Sequence, residues 1–132
     1  MMEVRGYISS RPFFGERVPQ TVQNIVIRNY CEKHELTFLL SKAEYCIKDC
    51  YSVLQNILND LNEFDGIVLY SLFQLPENSE LRRTVFDKVL ESNKFMLFVL
   101  EDKSLSCQRD KYYLENIFKI KTNLSKCPNN IN

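Results

Sequence analysis

Short apolar runs alternate along this chain with longer amphipathic stretches. The first run, Val4 to Ser9, leads into Ser9-Ser10-Arg11 and a loop that holds Pro12, Gly15 and Arg17. From about Pro19 to His34 the pattern turns helical, with Val22, Ile25, Val26 and Tyr30 at three-four spacing as the expected buried stripe. Pro19 suits a first turn, where a missing N–H breaks no bond. Lys33 and His34 bring positive charge to the last turn, where the helix dipole favours it, and His34 reads as a cap. Leu36 to Leu40 (LTFLL) alternates little and predicts a strand covered on both faces, followed by a loop over Ser41 to Lys48. A second helix is expected from Asp49, a suitable N-cap, to Glu63, with Val53 or Leu54, Ile57, Leu58 and Leu61 inward.

Phe64-Asp65-Gly66 ends that helix, and Ile67 to Ser71 (IVLYS) predicts a third, central strand. Beyond Pro76, Asn78 or Ser79 caps a third helix that buries Leu81, Val85, Phe86, Val89 and Leu90; Arg82 and Arg83 then point outward. Phe95 to Leu100 predicts a fourth strand, with Glu101 and Asp102 at its C-terminal end. Ser104 to about Lys121 reads as a last helix with Tyr113 or Leu114, Ile117 and Phe118 inward. The expected unit is therefore one domain over residues 1–121, with a polar tail over 122–132.

Repeated strand–helix alternation predicts an α/β fold: a three-layer sandwich around a mostly parallel sheet of four or more strands. Right-handed crossovers and the simplest doubly wound order, 2-1-3-4, put the switch point between strands 1 and 3, where open α/β sheets usually bind ligands. Residues 9–20 and 71–77 would border that crevice. Glu44 and Tyr45 after strand 2, with Glu101 and Asp102 after strand 4, would form its outer rim.

Composition narrows the function. The 132 residues carry 17 Lys+Arg and 17 Asp+Glu, a formal net charge of zero. That argues against a non-specific nucleic-acid binder and against an anionic-membrane binder, both of which need a basic surface. It permits a homo-oligomer. No apolar run approaches the ~20 residues of a membrane span. The opening MMEVRGY has no apolar targeting core, and Cys31, Cys46, Cys50, Cys107 and Cys127 form no CxxC pair, so free thiols and a cytoplasmic setting are expected. Cys46 and Cys50 could share a helical face, but a zinc site would need ligands from scattered positions.

The candidate chemistry sits at the crevice. Arg11 and Arg17 carry planar forks suited to phosphate or carboxylate, next to the expected helix N-terminus at Pro19. Ser9, Gln20 and Gln74 would add hydrogen bonds to the same ligand. Ser10 is the candidate nucleophile, although no base stands beside it in the sequence, and Glu44 is the candidate acid/base. Glu77 suits the dipole of the third helix. Glu101-Asp102 reads either as a magnesium pair or as a solvated strand end. No GxGxxG or P-loop is present, and no cofactor is called for.

Two resemblances begin at Gly6-Tyr7. GYISSR, Gln20, Gln23 and DGIVLYSLFQLPEN resemble the catalytic domain of serine recombinases over about residues 4–102. That resemblance implies a resolvase-like or flavodoxin-like α/β sheet. It departs at the chemistry: the ungapped nucleophile position is Arg11 (Ser10 after a one-residue shift), the nearby arginine position is Ser9, and the later arginine-bearing segment supplies Phe73, Gln74 and Glu77. It therefore implies the fold without DNA strand exchange. RGYISSRPF-x-G-x-RVPQ-x-VQN-x-VIR-x-YC, LTFLLSKAEY and GIVLYSLFQLPEN are also similar to the sporadic carbohydrate cluster protein family, to about Ser104. This second resemblance implies a role in bacterial surface-polysaccharide (O-antigen or capsule type) biosynthesis. The leading expectation is thus a protein that binds a sugar phosphate or nucleotide sugar at the crevice. Its alternatives are an interaction module for polysaccharide-biosynthesis enzymes and a degenerate recombinase-like nucleic-acid protein.

Overall fold

The computed structural model describes residues 2–13, 17–44 and 50–126, with side chains to 124. Its elements, in chain order, are β1 (Glu3–Ser9), α1 (Gln20–Lys33), β2 (Thr37–Glu44), α2 (Ser52–Asn59), β3 (Gly66–Leu69), α3 (Ser79–Glu91), β4 (Phe95–Phe98), β5 (Lys103–Leu105) and α4 (Gln108–Lys126). Single 3-10 turns cover Leu61–Glu63 and Leu72–Gln74. The sheet order is β2-β1-β3-β4-β5, parallel except for the antiparallel β4–β5 pair. This is the expected α/β sheet with the expected order, extended by one strand.

Apolar side chains fill both faces. Val4, Ile8 and Val68 meet Ile27 and Cys31 of α1 on one face. Tyr7, Ile67, Leu69, Met96 and Phe98 meet α2, α3 and α4 on the other. Every residue of β3 is buried, as a central parallel strand requires.

Several local expectations are corrected. β5 occupies residues that read as the start of the last helix; a turn through Asp102 (φ 53°) folds Lys103–Leu105 back against β4. β2 is an edge strand, with Leu40 76% exposed, and it continues through Ser41–Glu44 where a loop was expected. The buried stripe of α1 is Gln23, Ile27 and Cys31, while Val22 and Ile25 face solvent. A glutamine can hold that inward position because its amide is bonded on both sides, as described below. In α3, Leu81 is exposed and Arg82 is 4% exposed. Arg82 gives Nε and Nη2 to the Glu115 carboxylate at 2.8 Å each, Nη1 to the carbonyls of Pro76 (2.9 Å) and Glu77 (3.1 Å), and stacks on Phe118. Its charge goes inward because a carboxylate, two carbonyls and a ring await it there. α2 starts at Ser52, so Cys50 precedes the helix and shares no helical face; Cys46, Tyr45 and the expected cap Asp49 lie outside the described residues. Asn78 caps α3, accepting from Glu80 N (2.9 Å) and Leu81 N (3.0 Å).

One irregularity positions the site. Between Arg5↔Leu39 and Tyr7↔Lys42, β2 carries one residue more than β1. Side chains alternate along a strand, so a bulge exchanges the faces beyond it. Phe38 before it and Ala43 after it both pack on the α1 side. The bulge therefore sends Glu44 to the side where Leu39 and Tyr7 pack, under α2. Gly6 lies within this irregular stretch, where a Cβ would overlap Ser41 Oγ and come within 2.9 Å of the Phe38 ring.

Candidate functional site

The ends of β1 and β3 and the starts of α1 and α2 enclose a connected polar network. Gln23 of α1, fully buried, is its centre. Its Nε2 donates to the carbonyls of Ser9 (2.7 Å) and Val18 (2.8 Å), and its Oε1 accepts from Ser9 N (3.1 Å) and from Gln74 Nε2 (2.8 Å). Gln74 Oε1 in turn accepts from Ser71 N, closing a capping box around the Leu72–Gln74 turn.

Tyr7 links the two charged groups. Its hydroxyl donates to Glu44 Oε2 at 2.7 Å and accepts from Arg11 Nη2 at 3.3 Å. Arg11 also donates to the carbonyls of Cys50 (2.9 Å) and Gln74 (3.2 Å) and lies over the Tyr51 ring, 4.2 Å from its centre. Glu44 is 1% exposed and receives the N–H groups of Val53 (2.9 Å) and Leu54 (3.3 Å), so it caps α2 from a neighbouring strand. Burial, chiefly, drives the Tyr7 pKa far above that of a free phenol; Arg11 opposes this and Glu44 adds to it. Burial works against the Arg11 charge, but Tyr7, Tyr51 and Glu44 outweigh it and hold its pKa above the usual value.

The fold thus brings Ser9, Ser10, Arg11, Gln20, Glu44 and Gln74 together. Ser9 is buried, and its Oγ accepts from Arg11 N at 3.0 Å. Ser10 Oγ and Gln20 Nε2 both donate to the Glu44 carbonyl at 3.4 Å, and both residues are half-exposed at the mouth. Arg17 is exposed, with no ion pair or hydrogen bond among the described residues. Gln23, Tyr7 and Tyr51 are the members that sequence reasoning passed over. The legible signal was Gln23, a polar residue on the i, i+4, i+8 line with Ile27 and Cys31.

Other candidates separate. Glu101 accepts from Ser71 Oγ and Leu72 N, both at 2.8 Å, whereas Asp102 borders a different cavity beside Tyr30 and His34. They do not converge as a magnesium pair. No cluster of three or more His, Cys, Asp or Glu positioned for a metal occurs among the described residues. His34 closes α1 through its own N–H and stacks on Tyr30. Among the described residues no helix is long and apolar enough to cross a membrane.

No protein-family model matches the sequence, and no curated protein matches it. The fold is similar to those of several solved structures. The N-terminal catalytic domain of TP901-1 integrase superposes with a TM-score of 0.63 at 15% identity, covering 92% of this chain and 96% of that one. A resolvase family site-specific recombinase from Streptococcus pneumoniae gives 0.67 at 7% identity, covering 92% and 89%. The resolvase-like fold expectation is borne out. The leading functional expectation is corrected: the structural neighbours are an integrase catalytic domain and a resolvase family recombinase, and nothing in the comparisons supports a surface-carbohydrate role, a sugar ligand or polysaccharide-biosynthesis partners.

Proposed function

We propose that this domain is a recombinase-fold nucleic-acid-binding protein that holds a DNA phosphate at the crevice mouth without cutting the strand. The observation that carries this reading is the division of labour around the crevice in a fold shared with an integrase catalytic domain and a resolvase family recombinase. Ser9, Arg11, Glu44 and Gln74 satisfy one another as the floor. Ser10 and Gln20 keep part of their surface open at the mouth, and Arg17, three residues before Gln20, is exposed. Arg17 supplies the fork for a phosphate, and Gln20, whose amide gives one N–H to the Glu44 carbonyl, supplies its second N–H as a neutral donor. A Ser10 nucleophile would need cationic groups to stabilise charge on a scissile phosphate. The arginine within the crevice, Arg11, is committed to Tyr7, Cys50 and Gln74. Zero net charge argues against broad coating of DNA, yet leaves room for a local contact.

The test is fluorescence anisotropy of labelled single- and double-stranded DNA at low salt, with a denaturing gel for covalent adducts. Binding should be salt-dependent and adduct-free, and Arg17→Ala should weaken it about tenfold and lower the salt slope by about 1. No binding to either DNA form overturns the reading. A covalent adduct that Ser10→Ala abolishes overturns its non-cleaving half. Exposed Tyr112, Tyr113, Ile120 and Leu124 on α4 give an apolar surface for the homo-oligomer considered above. Light scattering on the same samples would show a mass above one chain, and a strictly monomeric protein would remove that assignment.

A further inference from the structure

A cavity of about 210 Å3 opens beyond the C-terminal ends of β3 and β4. Phe13, Tyr70, Phe73 and Leu100 supply its apolar walls, with Glu101 and Lys121 as the charged members. Phe13 and Tyr70 meet edge to face at 6.5 Å, and Phe73 is braced the same way on Phe118 at 5.2 Å. Such fixed rings receive a planar guest at little ordering cost.

The polar groups say which guest. Ser71 Oγ donates to Glu101 Oε2 and Leu72 N–H donates to Oε1, both at 2.8 Å. The carboxylate is therefore held in one orientation, and these two bonds use only part of its acceptor capacity. A guest with two adjacent N–H donors matches that pair of oxygens. Lys121 lies over Phe73, with Nζ 5.6 Å from the ring centre. Its positive charge at the wall disfavours a guanidinium and favours a neutral ring with an anionic tail. Val18 also lines the cavity, and the preceding residue in the chain is the exposed Arg17.

We propose that this cavity receives one unstacked guanine base, with the N1–H and N2–H edge on Glu101 and the phosphate towards Lys121. As a base within a strand, this guest deepens the nucleic-acid reading above and rests on it; as a free nucleotide, it tests the cavity separately. The experiment titrates the 15N-labelled full chain with GMP and with AMP by NMR. In parallel, it compares oligo-dT with the same strand carrying one central guanine by anisotropy. GMP should shift the amides of Ser71, Leu100 and Lys121 saturably, with AMP about tenfold or more weaker. Glu101→Gln, which replaces one of the two acceptor oxygens with a donor, should erase that preference. Lys121→Ala, which spares the Glu101 contacts at the Leu72–Gln74 turn, should weaken both nucleotides and keeps the test open if Glu101→Gln folds poorly. Equal binding of GMP and AMP, or a preference that survives Glu101→Gln, overturns the proposal. No nucleotide binding by a protein that still binds DNA removes the cavity and leaves the phosphate reading standing. GMP selectivity without any preference for the guanine-bearing strand keeps the cavity and overturns the strand as its source.

Discussion

Arg11 and Arg82 are both drawn inward and both stacked on an aromatic ring, at 4.2 Å from Tyr51 and 3.7 Å from Phe118, yet their nitrogens are satisfied differently. Arg11 donates to two carbonyls and a tyrosine hydroxyl, and reaches the Glu44 carboxylate only through that hydroxyl. Arg82 meets Glu115 in a two-pronged ion pair and fills its remaining capacity with carbonyls. In the sequence, Arg11 looks like the ligand-binding arginine and Arg82 like a surface charge. The fold makes Arg82 the clamp between α3, α4 and the segment before α3, and Arg11 the cross-brace of the crevice. An arginine's role follows from which acceptors the backbone brings to it, and those acceptors lie far away in the chain.

The largest expected effect is at Arg82. Arg82→Ala leaves Glu115, whose side chain is 20% exposed, without its partner, together with two unpaired carbonyls. It should cost about 3 kcal/mol, the low end for breaking a buried pair, and lower Tm by about 10 °C. Adding Glu115→Leu should recover part of that loss. A double mutant no better than Arg82→Ala would show that the carbonyl contacts, not the ion pair, carry the clamp.

Arg11 should matter less. Arg11→Ala removes three donations and the stack on Tyr51, but the site is only half-buried and water can replace some of them. A loss of about 1.5–3 kcal/mol is expected. Arg11→Lys should recover little, because an ammonium cannot span Cys50, Tyr7 and Gln74 in one plane. Urea unfolding of both variants checks this. A fully stable Arg11→Lys would dissolve the contrast with Arg82.

The smallest effect lies at the start of α4, the helix that brings Glu115 and Phe118 to Arg82. Asp110 Oδ2 accepts from Ser106 N (2.9 Å) and Ser106 Oγ (3.1 Å). Partial burial would raise the Asp110 pKa, but these bonds and those from Cys107 outweigh it and lower it from the ordinary 3.8. A depressed folded-state pKa stabilises above the unfolded value, and the contribution fades as pH falls through the folded pKa. Asp110→Asn should therefore cost about 0.3–1 kcal/mol at pH 7 and nothing well below pH 3.8. An equal loss at both pH values would assign the effect to packing.

Much of the architecture is legible in the chain itself. The largely apolar runs Val4 to Ser9, Ile67 to Ser71 and Phe95 to Leu100 hold β1, β3 and β4, and three-four spacing marked α3 and α4. Ser9, Ser10, Arg11, Gln20 and Gln74 did meet at the switch point, because strand order dictates which loops share an end of the sheet. β5 was missed because three residues are too short to show a period. The α1 stripe was misplaced because hydrophobicity pointed to Ile25, while hydrogen bonding allowed Gln23 inside.

Local chemistry in the chain settled the kinds of element, the two apolar faces of the sheet and the crevice at which polar groups collect. Those properties depend on residues a few positions apart, where side-chain period and backbone preference act directly. The arrangement in space settled the rest. One extra residue in β2 turned Glu44 from a candidate acid into the cap of α2, and Tyr7 joined it to Arg11. Acceptors on separate elements drew Arg82 inward. A guanidinium or carboxylate is fixed by whichever partners satisfy it when water is removed, and only the folded chain assembles those partners.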